Sequence, residues 1–406
     1  MSEWFQSTVG EVSQLVTKGT TPTMNRGRFV EAGITFVKVE SITDDGRFNR
    51  PKFAFIDEAT HQALSRSVLK EDDILFTIAG TIGKVARVDR QILPANTNQA
   101  VAIVRPNRDA IDPRFLYYAL RDEVRVKRAH SRVVQSVQAN FSLLELRAME
   151  VPLPTMAEQS DIASVLGALD EKIDADRQVV SILSDFLAAT WYGRFESAHD
   201  DAGWPTMPIG TVARVVGGST PSTKNAEFWG GTVAWATPKD LSRLSSAPLL
   251  DTDRCITERG LQEISSGLLP VGAVLLSSRA PIGYLAIAEV PVAINQGFIA
   301  LVAGGRVSNL YLWQWLRAHL DDVISRSNGT TFLEVSKGSF RPMLISVPPE
   351  ELMRSWTESA LPQYRLIVAM ERESRALVRL RDILLPKLLS GELRVREAEA
   401  LVEGAV

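Results

Sequence analysis

Apolar residues recur at alternating steps of four and three in two widely separated stretches of the chain. Leu366, Met370, Glu373, Leu377, Leu380, Leu384 and Lys387 form one series, and Leu169, Ile173, Asp176, Val180, Leu183, Leu187 and Thr190 form the other. That alternation marks the narrow seam of a coiled coil rather than the broad apolar face of a surface helix. Each member of the second series lies 197 positions before its counterpart, and an acid occupies the same step in both, Asp176 and Glu373. The simplest arrangement packs the two helices against each other, antiparallel. The alternative is that each is a core helix of its own domain.

Ahead of these helices the pattern changes period. Thr35 to Val39, Asp73 to Ile78, Lys84 to Val88 and Ala100 to Val104 are short apolar, β-branched runs bounded by turn residues such as Asp44-Asp45-Gly46, and they predict strands. Pro113 to Arg128 predicts a helix, with Asp112 as N-cap and proline in the first turn. Val151-Pro152-Leu153-Pro154 ends the globule, because alternate prolines continue neither a ladder nor a helix. Thr155-Met156-Ala157-Glu158 has the form of a capping box and opens a helix to about Phe195, some forty residues or roughly 60 Å. The last helix begins near Glu350, with an interruption expected at Pro362 and a kink or stop near Pro386, since an interior proline costs ~3 kcal/mol. Gly391 is the expected terminator.

The chain repeats itself. Gly19-Thr20-Thr21-Pro22 returns as Gly218-Ser219-Thr220-Pro221, Leu75 to Gly83 as Leu275 to Gly283, Asn98-Gln99 as Asn295-Gln296, and Val151-Pro152 as Val347-Pro348. All displacements fall between 196 and 200, in constant order, which chance matches would not produce. The expected architecture is α+β: two similar mixed α/β domains, residues 1–153 and 197–348, separated by a central helix at 154–196 and a distal helix and tail at 349–406.

At 406 residues the chain accommodates two or three domains with sizeable cores, and 45% hydrophobic with 23% charged residues is ordinary for a soluble globular protein. One cysteine, Cys255, excludes an intramolecular disulfide and suits a reducing cytoplasm. No signal peptide or membrane-length apolar run is expected. Gly80-Thr81-Ile82-Gly83-Lys84-Val85 lacks the spacing and hydroxyl of a phosphate-cradling loop. The four histidines stand apart without metal-ligand spacing, and Ser277 and Ser278 have no elbow glycines, so no catalytic, cofactor or metal site is assigned. The net charge of −3 offers no global argument for nucleic acid, so any such argument is local.

Two similar globules tied to stiff helices make a ruler, and on DNA the separation of two contacts carries information, one turn being ~34 Å. Near the first helix and the stretch after it lie Arg114, Arg121, Arg132, Gln135, Gln138 and Asn140; the second half offers Lys224, Asn225, Lys239, Arg279, Arg326, Asn328 and Thr330. The mix suits phosphate contacts and base edges, although any one of these residues is also an ordinary solvated side chain. Framework residues repeat while the intervening stretches differ, so the two halves should read unlike sequences.

Gly218-Ser219-Thr220-Pro221-Ser222-Thr223-Lys224, with Phe228-Trp229-Gly230-Gly231 and Trp235, resembles the opening of a target recognition domain of type I restriction-modification specificity subunits. Leu269 to Gly283 and Asn295 to Phe298 resemble its middle, and Leu384 to Leu393 resembles the distal helix of that family. The first half departs from the pattern, with Thr81 where Pro281 stands and Ala189-Thr190-Trp191-Tyr192 in place of the Lys-Leu-Leu text. The resemblance covers nearly the whole chain. It implies a non-catalytic cytoplasmic subunit that binds double-stranded DNA and seats two methyltransferase subunits carrying S-adenosylmethionine, with a motor-nuclease subunit using ATP and magnesium. It also implies that the loops holding Thr77, Thr81 and Lys84, and Ser278 and Arg279, approach DNA. A stand-alone DNA-binding regulator is the alternative, distinguished by specific binding of the isolated chain and no association with a methyltransferase. A stand-alone enzyme would turn over DNA with cofactor unaided.

Overall fold

The computed structural model describes residues 4–23, 27–122, 141–197, 203–328 and 333–404. It divides into two compact units, Met1–Lys172 with Ala376–Val406, and Ile173–Arg375.

The first unit carries strands β1 (Phe5–Thr8), β2 (Ser13–Lys18), β3 (Phe29–Val30), β4 (Ile34–Val37), β5 (Ala54–Ile56), β6 (Ile74–Thr77), β7 (Val85–Arg87), β8 (Ala95–Thr97), β9 (Val101–Pro106) and β10 (Glu150–Leu153). They form a β2-β9-β6-β7 sheet, a β3-β5-β4-β8 sheet and a β1-β10 pair. The second unit carries β11 (Thr206–Pro208), β12 (Ala213–Gly217), β13 (Trp229–Ala236), β14 (Pro248–Leu249), β15 (Arg254–Ile256), β16 (Val274–Ser277), β17 (Leu285–Ala288), β18 (Val292–Ile294), β19 (Phe298–Ala303) and β20 (Leu344–Ser346). Its sheets are β12-β19-β16-β17-β14, β15-β13-β18 and β11-β20. The shared strands keep their register, Phe29 facing Ile56 as Trp229 faces Ile256 and Phe76 facing Ala102 as Leu276 faces Ile299, while β13 takes the place of both β3 and β4 and β14 adds a fifth strand to the second unit's larger sheet. Both units pair strands in parallel at the same place, β4 with β8 and β13 with β18, and the second unit adds β14 parallel to β17. The central strands β6 and β16 are buried throughout, which accounts for their unbroken apolar text.

Four helices matter here: α1 (Pro113–Arg121), α2 (Met156–Trp191), α3 (Asn309–Ala318) and α4 (Glu350–Ser390). Asp112 caps α1 by accepting from the Arg114 and Phe115 amides at 2.7 and 3.3 Å. The expected extension of α1 to Arg128 falls outside the described residues beyond Asp122. The Thr155–Glu158 capping box forms at the start of α2, the Glu158 amide donating to the Thr155 hydroxyl at 3.3 Å.

Three expectations need correction. The prolines near residue 152 do not end pairing: Pro152 stands opposite Gln6 within β1-β10, a two-stranded pair whose open edge does not need the missing N–H. Pro362 and Pro386 do not interrupt α4, which runs unbroken for 41 residues. The carbonyls they leave without a donor belong to Glu358 and Asp382, both exposed and open to water. Gly391, at φ 73°, does end the helix, with the Leu393 amide returning to the Lys387 carbonyl at 3.2 Å.

The seam of α4 is the third correction. On α2, Leu169, Ile173, Asp176, Val180 and Leu187 are buried and Leu183 is half-buried. On α4, Leu377 and Leu384 are buried and Met370 is half-buried, but Leu366 is 43% exposed and Leu380 only half-buried. The positions facing inward are Ile367, Ser374, Arg381 and Leu388, each one residue after the expected one. Polar side chains at two of these positions hid the register. Each is paired on the facing helix: the Ser374 hydroxyl donates to Asp176 at 3.4 Å in the second unit, and Arg381 meets Asp170 at 2.6 Å in the first. Within each unit the helices therefore run antiparallel.

Each globule is fixed to its share of the helices differently. In the first unit Asp170 accepts from the Tyr118 hydroxyl at 2.8 Å and pairs with Arg381, which is 4% exposed, and with Arg121 at 3.4 Å. Burial opposes the charge on Arg381, yet the adjacent Asp170 carboxylate holds its pKa above the ordinary arginine value. In the second unit an aromatic cluster takes this role: the Phe195 ring lies 5.0 Å from Tyr311 and 5.5 Å from Trp356, all buried.

Candidate nucleic-acid interface

In each unit the same three loops gather at one end of the sheets, and the same bonds hold them. The Thr20 amide donates to the Thr97 carbonyl at 2.9 Å, and the Ser219 amide to Ile294 at 3.0 Å. The Thr21 hydroxyl meets the Gln99 side chain as Thr220 meets Gln296. Gly19 and Gly218 allow the approach, since a Cβ on either would sit 2.1 Å from the Thr97 carbonyl or 1.9 Å from the Asn295 carbonyl. Side-chain oxygens of Asn98 and Asn295 brace their turns by accepting from Ala100 at 3.1 Å and Gly297 at 2.9 Å.

The loops after β6 and β16 are stapled identically. The Thr77 hydroxyl donates to the Thr81 carbonyl at 2.6 Å and accepts from the Lys84 amide at 2.9 Å; Ser277 donates to Pro281 at 2.9 Å and accepts from Tyr284 at 2.8 Å. Thr77 and Ser278 are therefore corrected as contact residues: at 0% and 2% exposure neither side chain reaches an external ligand, the Thr77 hydroxyl holding its loop from inside and Ser278 bonding through its backbone to Gly297 and Val335. Thr81 is exposed at the loop tip. Lys84 is committed inward, its ammonium 3.0 Å from Asp44 and 3.1 Å from the Ile42 carbonyl.

In the second unit Arg279 is exposed and pairs with Glu334 at 3.1 Å. Asn328 exchanges backbone hydrogen bonds with Glu334 at 2.9 and 3.0 Å, so the segment carrying Asn328 and exposed Arg326 lies along the loop after β16. The Val335 amide donates to Ser278 at 2.8 Å, as the Phe141 amide does to Ile78 at 2.9 Å in the first unit. Lys224 is exposed, Asn225 caps a short turn by accepting from Glu227 at 3.0 Å, and Lys239 lies 3.9 Å from Asp253. Arg132, Gln135, Gln138, Asn140 and Thr330 lie outside the described residues.

Sequence reasoning missed an aromatic platform. Trp229 and Trp235 meet edge to face at 4.9 Å, and their indole N–H groups donate to Ser222 at 3.1 Å and Ser219 at 3.5 Å, bolting the repeated glycine loop to β13. The Arg254 guanidinium lies 3.7 Å above the Trp229 ring. Phe29 and Phe36 form the equivalent edge-to-face pair at 5.2 Å in the first unit. Two aromatics seven and six residues apart at matching places in both repeats were the signal that could have found it.

Among the described residues no group of three His, Cys, Asp or Glu side chains could hold a metal ion, and no helix is long and apolar enough to cross a membrane. A family model, the type I restriction modification DNA specificity domain, matches residues 1–181 and again 202–352. Over 154 residues the chain is 40% identical to the type I restriction enzyme MjaIX specificity subunit of Methanocaldococcus jannaschii, a match spanning 36% of this chain and 35% of that protein. The putative MjaX specificity subunit of the same organism is 20% identical over 97% of this chain and 94% of its own length. The S subunit of a type I restriction-modification system from M. genitalium shares the fold, with a TM-score of 0.57 at 15% identity over 95% of this chain and 96% of that one.

Proposed function

The chain belongs to the type I restriction-modification DNA specificity family, and from that premise we propose that it is the non-catalytic subunit through which a methyltransferase complex finds a bipartite, asymmetric DNA target. Each recognition domain, residues 1–153 and 197–348, reads one part of the target. The observation that carries this reading is one loop frame built twice in one chain with different exposed side chains: the same backbone bonds recur, while Thr81 stands where Pro281 does and Ala54 where Arg254 does. A common frame with unlike tips suits two unlike half-sequences, whereas identical subunits of a homodimer would read a palindrome.

The long helices set the gap and seat two methyltransferase subunits. Supporting this, Val179, Ile182 and Phe186 are 37%, 67% and 48% exposed on α2, spaced as a second apolar stripe flanking the buried one. Leu366 and Ile383 on α4 are likewise exposed at 43% and 57%. S-adenosylmethionine is carried by those partners, and ATP with magnesium by a motor-nuclease subunit, all working in the cytoplasm. The test is genome-wide mapping of methylated positions in cells carrying the partners with and without this chain. Methylation at one split sequence only when the chain is present is expected; identical methylation without it overturns the reading.

A further inference from the structure

The two recognition domains differ most plainly at one position of one strand pair. Trp235 on β13 stands opposite Arg254 on β15, and at the matching register of the first unit Phe36 stands opposite Ala54. The Arg254 guanidinium lies 3.7 Å from the Trp229 ring centroid and 5.4 Å from that of Trp235, which seats it over the platform. Trp229 is itself tied to the glycine loop through Ser222. Three other exposed arginines of this unit are paired: Arg243 with Asp253 at 2.7 Å, Arg259 with Glu227 at 3.0 Å, and Arg279 with Glu334 at 3.1 Å. Among the described residues the Arg254 guanidinium has ring contacts and neither an ion pair nor a hydrogen bond, and the residue is exposed.

An arginine that is exposed, unneutralised and seated on an aromatic ring keeps its planar fork of five N–H donors available, having already given up part of the rotamer freedom that a free side chain loses on binding. The ligand edge that matches such a fork on a duplex is guanine, whose O6 and N7 present two adjacent acceptors in the major groove. We propose that Arg254, seated on Trp229, reads a guanine in the half-target of the second recognition domain, and that the first domain, with Ala54 there, has no equivalent contact. The inference rests on the reading of this chain as a two-part DNA-recognition subunit.

The test measures methylation by the complete complex on duplexes varied one base pair at a time across both half-targets, for the wild type, Arg254→Ala and Arg254→Lys. The wild type should discriminate roughly 5- to 150-fold for guanine at one position of one half. Both variants should lose that discrimination while keeping preferences at every other position, and 7-deazaguanine there should weaken the wild type while leaving Arg254→Ala unaffected. Unchanged preferences in Arg254→Ala overturn the proposal. So does a uniform loss on all sequences that Arg254→Lys rescues, which marks a phosphate contact. If the wild-type complex shows no sequence preference, the function reading fails and this inference fails with it; a specific wild type with an indifferent Arg254→Ala sinks the inference alone.

Discussion

The two units solve one mechanical problem with opposite chemistry. In the first, a globule is fixed to the long helices by a charge network in which Asp170 receives Tyr118, Arg121 and Arg381. In the second, the corresponding fastening is a cluster of large rings in tilted and edge-to-face contact, Trp191, Phe195, Tyr311 and Trp356. Where the first unit has Asp170 and Arg381 the second has Ile367 and Ser184, so neither half of the ion pair survives duplication. A directional network tolerates little displacement, because each charge must find its partner once removed from water. Rings held by dispersion and burial require volume rather than direction. The scaffold is shared, and the fastening is free to differ.

That contrast can be broken at several points. Phe195→Ala should cost about 3–5 kcal/mol, because a side chain 1% exposed leaves a cavity among four other rings. Chemical denaturation measures it, and a loss below about 1 kcal/mol would show that the cluster collapses into the gap. Asp170→Ala should cost about 3 kcal/mol, leaving buried Arg381 with Asp382 alone. Replacing Asp170 and Arg381 together with apolar residues should recover most of that loss. Ser374→Ala should stay within about 1 kcal/mol, its bond to Asp176 being long at 3.4 Å.

The smallest effect separates the repeats by pH. Asp57 caps the helix Glu58–Ala63, and Thr257 caps its counterpart Glu258–Gln262. The Thr60 hydroxyl, the Thr60 amide and then Arg28 hold the Asp57 carboxyl below its ordinary pKa. A depressed carboxylate pKa contributes stability above the unfolded value, and that contribution is lost as pH falls through the folded value. Once the intrinsic slowing of exchange in acid is divided out, amide protection in the first helix should therefore fall on acidification while protection in the threonine-capped helix does not change. Equal acid sensitivity of both helices would contradict the assignment.

Much of this was legible in the text because duplication makes a sequence its own comparison. The ordered returns of Gly-x-x-Pro, Ile-Gly and Asn-Gln predicted two like globules, and the strands that the two units share keep their register. What misled was polarity. Ser374 and Arg381 sit inside a seam where apolar residues are expected, so the series on α4 drifted onto Leu366 and Leu380. Pro362 and Pro386 read as breaks because a sequence does not say that their orphaned carbonyls face water. Thr77 and Ser278 read as contacts because hydroxyls beside a glycine loop look available, when they stand at 0% and 2% exposure. The Trp229 platform was written in the chain, but only the strand pairing brings Arg254 onto it.

Exchanging residues 1–153 for the equivalent globule of another family member, then mapping the methylated sequence, tests most directly whether each repeat reads its own part of the target. One half of the recognised sequence should change while the other half and the gap between them stay as they were. A swap that altered both halves together would contradict the account.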